Sequence, residues 1–190
     1  LTGLANRRSF DQAIEMEWAR ANRSGRPLAL LFADVDHFKL FNDNHGHQRG
    51  DECLRDIANV IGKTAIRPTD LATRYGGEEF AIIMPDTDMM SACVVAERLR
   101  HAVVEMRIAL GEPSDDFCVT LSVGVATYVP GQDVVGPEWL IGQADQALYA
   151  AKHLGRNRVI STDNMLLELA KARLMRAASE AEDPPRKARG

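Results

Sequence analysis

The chain has 190 residues, 45% of them hydrophobic and 26% charged, which suits one globular domain with its own core. A formal net charge of -4 argues against general polyanion binding, so no nucleic-acid role is expected and any phosphate site has to be local. No apolar run approaches the roughly 20 residues that span a bilayer, so no membrane contact is expected from this segment. Cys53, Cys93 and Cys118 scatter without metal-type spacing and read as thiols in a reducing compartment, hence a cytoplasmic location.

The abrupt opening at Leu1-Thr2-Gly3-Leu4 suggests a domain cut from something longer. Thr2 or Asn6 can cap a first helix over Arg8 to Arg23, which Ser24-Gly25-Arg26-Pro27 ends. Leu28 to Ala33 is continuously apolar and too short for an ordinary helix, so it reads as a central strand covered on both faces. It runs into Asp34-Val35-Asp36. A short helical turn, His37 to Asn44, leads to His45-Gly46-His47, whose histidines read as turn residues rather than a metal site. A second long helix over Arg49 to Ala65 places Leu54, Ile57, Ala58 and Ile61 on one face.

Asp70 to Tyr75 and Ala81 to Pro85 are strand-like and flank Gly76-Gly77, a pattern that predicts a two-residue hairpin turn. A third helix spans Asp88 to Met106, with Asp86 or Thr87 as its cap. Phe117 to Tyr128 is β-branched-rich and predicts a long strand. A further helix runs from Pro137 to Leu154 and ends at Gly155; Arg158-Val159-Ile160 is a short last strand. Met165 to Ala181 is helix-prone, and Asp183 to Gly190 is expected to be disordered. The predicted fold class is α+β, with a central, largely antiparallel sheet flanked by helices. The expected domain covers residues 1–161, with 162–190 as a helical extension and tail.

Four constellations could carry chemistry. Asp34 ends a buried strand, and Glu78 and Glu79 begin another after glycines that let a ligand approach the backbone. Such carboxylates suit Mg²⁺ or Mn²⁺, or simply face water at strand ends. Asn42 and Asp51 offer the complementary hydrogen bonds of a guanine edge, or serve as helix-capping groups. Lys152 and Arg156, four apart, share a helix face within reach of one polyphosphate, or complement a helix C-terminus. Arg67-Pro68-Thr69-Asp70 either grips a ligand or forms a surface ion pair.

These segments together resemble the GGDEF family, the diguanylate cyclase domains, in its Gly76-Gly77-Glu78-Glu79-Phe80 variant. The resemblance begins at Leu1 to Arg8 and continues through the Asp34 block and Gly46 to Asp51. It closes with Ser122 to Ala126, Ala144 to Lys152 and Gly155 to Arg158. It implies a fold like that of nucleotide cyclases and polymerase palms, with a ferredoxin-like core. It implies condensation of two GTP into cyclic di-GMP and two pyrophosphates, across a homodimer. By the same resemblance, Asp34, the Val35 carbonyl and Glu78 bind metal, and Glu79 is a further contact or helps deprotonate the attacking hydroxyl. Asn42 and Asp51 hold guanine, Phe38 and Leu54 line its pocket, and Lys39, Lys152 and Arg156 meet phosphates. Arg67, Asp70 and Arg98 fit the family's product-binding inhibitory site. A module that binds GTP or cyclic di-GMP without making it is the alternative, and a nucleic-acid polymerase palm is disfavoured by the acidic balance and small size.

Overall fold

The computed structural model describes residues 1–65, 67–111 and 118–182. The chain enters through β1 (Ala5–Asn6) and turns at once into α1 (Arg7–Ser24). Asn6 is the cap: its Oδ1 accepts the Ser9 N–H at 3.0 Å. Gly25, at φ 71°, closes α1 in the left-handed region. β2 (Leu28–Val35) is buried over its whole length. A continuous apolar run is stable there because both faces are covered.

His37 adopts φ 57° and starts α2 (Phe38–His45); Gly46 separates it from α3 (His47–Thr64). His45 and His47 are therefore the last and first residues of two helices, not members of the turn. β3 (Leu71–Arg74) and β4 (Glu79–Pro85) follow. α4 (Met89–Glu105) is capped by Asp88, whose Oδ1 accepts the Ser91 N–H at 2.8 Å, and not by Asp86 or Thr87. β5 (Leu121–Tyr128) starts later than the sequence pattern suggests; its expected first residue, Phe117, lies outside the described residues. Then come α5 (Pro137–His153), β6 (Val159–Ser161) and α6 (Met165–Glu182). The segment Asp183 to Gly190 also lies outside the described residues. Among the described residues, no helix is long and apolar enough to cross a membrane.

The six strands form one sheet in the order β1-β3-β4-β2-β5-β6. The three inner pairings, β3–β4, β4–β2 and β2–β5, are antiparallel, and the two edge pairings are parallel. Alternation along β2 sends Ala29, Leu31, Ala33 and Val35 to a core shared with α2, α3 and α4. Leu28, Leu30 and Phe32 meet Phe10 and Ile14 of α1 and Leu140 and Leu148 of α5 on the other face. α5 lies directly on β5: a Cβ at Gly124 would sit 2.2 Å from Leu148 N and 2.3 Å from Ala144 O. Helices on both faces of a largely antiparallel sheet make the α+β class expected from the sequence.

The hairpin differs from the two-residue turn that the Gly-Gly pair predicts. Tyr75 and Gly76 N–H both donate to Glu79 O, at 2.8 and 3.2 Å, so Gly76, Gly77 and Glu78 all lie in the connection. Neither glycine takes the positive φ of a primed turn. The reason is tertiary. Val35 N–H donates to Glu78 O at 3.3 Å, which draws Glu78 toward the end of the β2 strand.

Candidate active site

The antiparallel register sets Asp34 beside Glu79 on one side and Ser122 on the other. Asp34 is 8% exposed, and Lys152 of α5 places Nζ 2.7 Å from its Oδ2. Burial pushes the Asp34 carboxyl above its ordinary range; the hydrogen bond and charge of Lys152 oppose this, and the charges of Glu78 and Glu79 add to it. Among the described residues no three His, Cys, Asp or Glu side chains are gathered as a metal cluster, so Asp34, Glu78 and Glu79 share a sheet end without forming a three-carboxylate cluster. The donor set still fits a hard divalent cation in kind, with carboxylate and backbone carbonyl oxygens.

The turn is clamped from below. Arg74 donates to Gly77 O through Nε at 3.1 Å and a terminal nitrogen at 2.7 Å. Tyr75 packs edge-on against Phe10, and the Arg7 guanidinium lies 4.6 Å from the Tyr75 ring centre. Beside it, Phe32, Tyr75, Glu79, Glu138 and Asp145 line a cavity of about 280 Å³.

Phe38 and Phe41 both enter the core, their ring centres 6.3 Å apart. Leu54 is buried beside them. α3 passes close to α2 at Gly50, where a Cβ would lie 1.9 Å from Asn42 Oδ1 and 3.2 Å from Phe38 Cζ. Asn42 Oδ1 is buried without a hydrogen-bond partner. An unsatisfied buried amide oxygen is costly and awaits a donor. Lys39 and Asp51 are exposed, each one residue beyond Phe38 and Gly50. The structure thus brings Phe38, Asn42 and Leu54 together, with Lys39 and Asp51 at the surface nearby in sequence.

Lys152 and Arg156 do not share a helix face. α5 ends at His153, and Gly155, Arg156 and Asn157 follow at φ 113°, 60° and 44°. Arg156 instead lines a cavity of about 1010 Å³ with His37, Asn44 and Arg107. Asp36, which sequence reasoning did not single out, holds this turn. It is 2% exposed and accepts from Thr120 Oγ1 at 2.7 Å, Ser122 Oγ at 2.7 Å and Asn157 N at 3.0 Å. Its only local signal was the Asp-Val-Asp spacing. The expectation of a carboxylate at a strand end stopped at Asp34.

At the other end of β3, Arg67, Asp70 and Arg98 line one cleft of about 420 Å³ with Thr64, Met90 and Ser91. The Arg67 guanidinium donates to Thr87 Oγ1 at 3.0 Å, and Asp70 Oδ2 accepts the Arg67 backbone N–H at 3.4 Å. The link between the two residues therefore runs through the Arg67 backbone. Burial pushes the Asp70 carboxyl above its ordinary range, opposed by the Arg67 N–H and charge, and its Oδ1 is buried without a partner.

The family description "Diguanylate cyclase, GGDEF domain" matches residues 1–158. Diguanylate cyclase DosC of Escherichia coli (strain K12) is 40% identical over 159 residues, 84% of this chain and 34% of that protein. The first curated relatives are all longer, and the chain spans 34% to 44% of their length. The solved GGDEF domain of DgcB from Caulobacter crescentus, in complex with c-di-GMP, superposes with a TM-score of 0.77 at 39% identity, covering 85% of this chain and 93% of that one. The active GGEEF domain of a diguanylate cyclase from Vibrio cholerae superposes with a TM-score of 0.76 at 33% identity, covering 84% and 97%. Sequence and backbone agree over the same stretch, from the opening segment to the last strand: the chain belongs to the family of diguanylate cyclase GGDEF domains.

Proposed function

We propose that this domain condenses two GTP molecules into cyclic di-GMP. In each step a ribose 3′-hydroxyl attacks the α-phosphorus of the other GTP. A P–O bond forms, the bond to pyrophosphate breaks, and the hydroxyl proton leaves. Two GTP therefore yield one cyclic product and two pyrophosphates. Glu79 faces the Asp34 end of the sheet and is suited to take that proton. Asp34, Glu78 and the Val35 carbonyl would hold Mg²⁺ or Mn²⁺. Such an ion, when bound, lowers the hydroxyl pKa and stabilises charge on the phosphates. Lys152, Arg156 and Lys39 neutralise phosphate oxygens; Asn42 and Asp51 hold guanine against Phe38 and Leu54.

The observation that carries this reading is the locked register of Asp34 with the Glu78-Glu79 turn, through the Asp34–Glu79 pairing and the Val35–Glu78 hydrogen bond. One site holds one GTP, so the second must come from a facing copy, and a homodimer is the catalytic unit. Residues 1–161 make up that unit in each copy, and the GTP pool places it in the cytoplasm. Cyclic di-GMP at Arg67, Asp70 and Arg98 restrains the two copies from meeting.

Incubation of the wild type with GTP and Mg²⁺ is expected to yield cyclic di-GMP. Glu78→Gln is expected to lose turnover by at least about a thousandfold while keeping its circular dichroism spectrum. Full activity in that variant would remove Glu78 from the site. GTP binding without product in the wild type would make the domain a binding module instead.

A further inference from the structure

We propose that Asp36 is a positioning residue for Arg156, fixing the turn between α5 and β6 so that the guanidinium meets the nucleotide phosphates. This rests on the cyclase reading above. Asp36 is the most enclosed carboxylate at the site, and its three donors come from residues 84, 86 and 121 positions away. Burying a carboxylate is costly unless its oxygens are satisfied. Here the three hydrogen bonds come from neutral donors.

The donors are not equivalent. The hydroxyls of Thr120 and Ser122 can donate or accept, so they adapt to whatever faces them. The backbone N–H of Asn157 can only donate. It belongs to the second of two consecutive non-glycine residues held at positive φ, at 60° and 44°. That backbone is unfavourable for residues with a Cβ and persists only where its surroundings enforce it. Arg156 N–H donates to Ala151 O at 3.1 Å, which ties the turn to α5. Asp36 Oδ2 ties its other side to the residue just after β2, two beyond Asp34.

β6 does not depend on this bond for its place. The next rung, Val123 N–H to Arg158 O at 2.9 Å, already joins β6 to β5. The Asp36–Asn157 bond therefore adds little to the sheet; with the Arg100 Nη1 to Asn157 Oδ1 bond at 2.7 Å, it holds the residue that follows Arg156. The strand end that presents the acid also dictates where the arginine stands.

The test compares Asp36→Ala, Asp36→Asn, Thr120→Val, Arg156→Ala and the Asp36→Ala/Arg156→Ala double variant. Each is measured by steady-state kinetics, by pyrophosphate and guanosine calorimetry, and by Tm. Asp36→Ala is expected to raise KM for GTP about tenfold and to weaken pyrophosphate binding in parallel. Guanosine binding is expected to stay the same, since it lacks the phosphates. In the double variant KM is expected to be no higher than in Arg156→Ala alone. Asp36→Asn keeps an oxygen for the Asn157 N–H while its amide donates to Ser122 Oγ, so its KM is expected to stay near wild type. Thr120→Val removes one hydroxyl donor and leaves the Asn157 bond; it is expected to lower Tm but not to raise KM.

A Thr120→Val KM as high as that of Asp36→Ala would make Asp36 a stability element only. An Asp36→Asn KM as high as that of Arg156→Ala, with the Asn157 bond kept, would show that this bond does not position Arg156, a result that decides the matter even where Asp36→Ala does not fold. Additive losses from Asp36→Ala and Arg156→Ala, in a protein that binds GTP, overturn the positioning alone. A wild type that binds neither GTP nor pyrophosphate overturns the cyclase reading, and this proposal with it.

Discussion

Gly50 and Asn42 meet so closely that a single methyl group decides where the amide points. In Gly50→Ala the new Cβ would lie 1.9 Å from Asn42 Oδ1, so the amide has to rotate away. The helix gains about 1 kcal/mol of propensity from the same change, which offsets much of the strain. The expected outcome is a nearly unchanged Tm with at least about a tenfold loss of preference for GTP over ATP, measured by competition binding. Unchanged preference would show that Asn42 does not read the base. Asp70 makes a different residue-scale prediction. Its raised carboxyl pKa means that the folded state holds the proton more tightly than the unfolded chain does. No penalty exists below the unfolded pKa of about 3.9; it grows as pH rises and is complete once pH exceeds the folded value. Asp70→Asn removes this loss. Its Tm at pH 7 is expected to equal or exceed that of the wild type, with the gain disappearing near pH 4. A variant that melts lower at pH 7 would mean that the charge of Asp70 is needed by its neighbours. Asp34, raised mainly by burial, follows the same sign. Asp34, Glu78 and Glu79 were legible in the sequence because they stand out locally, at the end of an apolar run and after two glycines. Asp36 was not, because all three of its donors arrive from distant segments. Arg67 and Asp70 read as a pair in the sequence, yet spacing cannot say that the guanidinium turns to Thr87.

α5 is the element that carries Lys152 to Asp34. Gly124 lets its backbone rest on β5, and Lys152 near its C-terminus reaches Asp34. Gly124→Ala would push a methyl into Leu148 N and Ala144 O, and backbone atoms cannot swing aside as a side chain can. The helix has to lift, at a cost in the upper part of the about 1–3 kcal/mol range for overpacking. Tm and GTP affinity are expected to fall together. A large fall in Tm with unchanged GTP affinity would show that Lys152 follows Asp34 rather than α5. The elements themselves were mostly legible. β2 announced its central place by having no polar residue before Asp34, and α3 by its apolar stripe. What failed was local turn chemistry overruled from afar. Gly76-Gly77 looked like a two-residue hairpin, but the Val35–Glu78 bond lengthens the connection. Lys152 and Arg156 looked like helical neighbours, but the helix stops between them, and Gly155 reverses the chain.

At the scale of the whole molecule, one short strand separates the Arg67 cleft from the Asp34 end of the sheet. β3 begins just after Asp70 and ends at Arg74, whose side chain grips the turn. Four residues of strand span about 13 Å, so cyclic di-GMP, if held in the Arg67 cleft as proposed, would not overlap a GTP held at the Asp34 end. Arg67→Ala is expected to lose at least about tenfold in cyclic di-GMP affinity, read by calorimetry, and to release the inhibition of initial rates by added product. Inhibition that persists unchanged would place the inhibitory contact elsewhere. The order of the sheet adds one more consequence. β1 contributes only Ala5 and Asn6, paired in parallel with Thr73 and Arg74. Asn6 also caps α1, Arg7 lies over Tyr75, and Arg74 holds Gly77. In mechanical terms the amino end is a crank. A slide of one residue at Asn6 would uncap a helix, unstack a ring and pull on the arginine that grips the turn. Tension applied there would be delivered within three residues to the backbone on which the two glutamates are mounted.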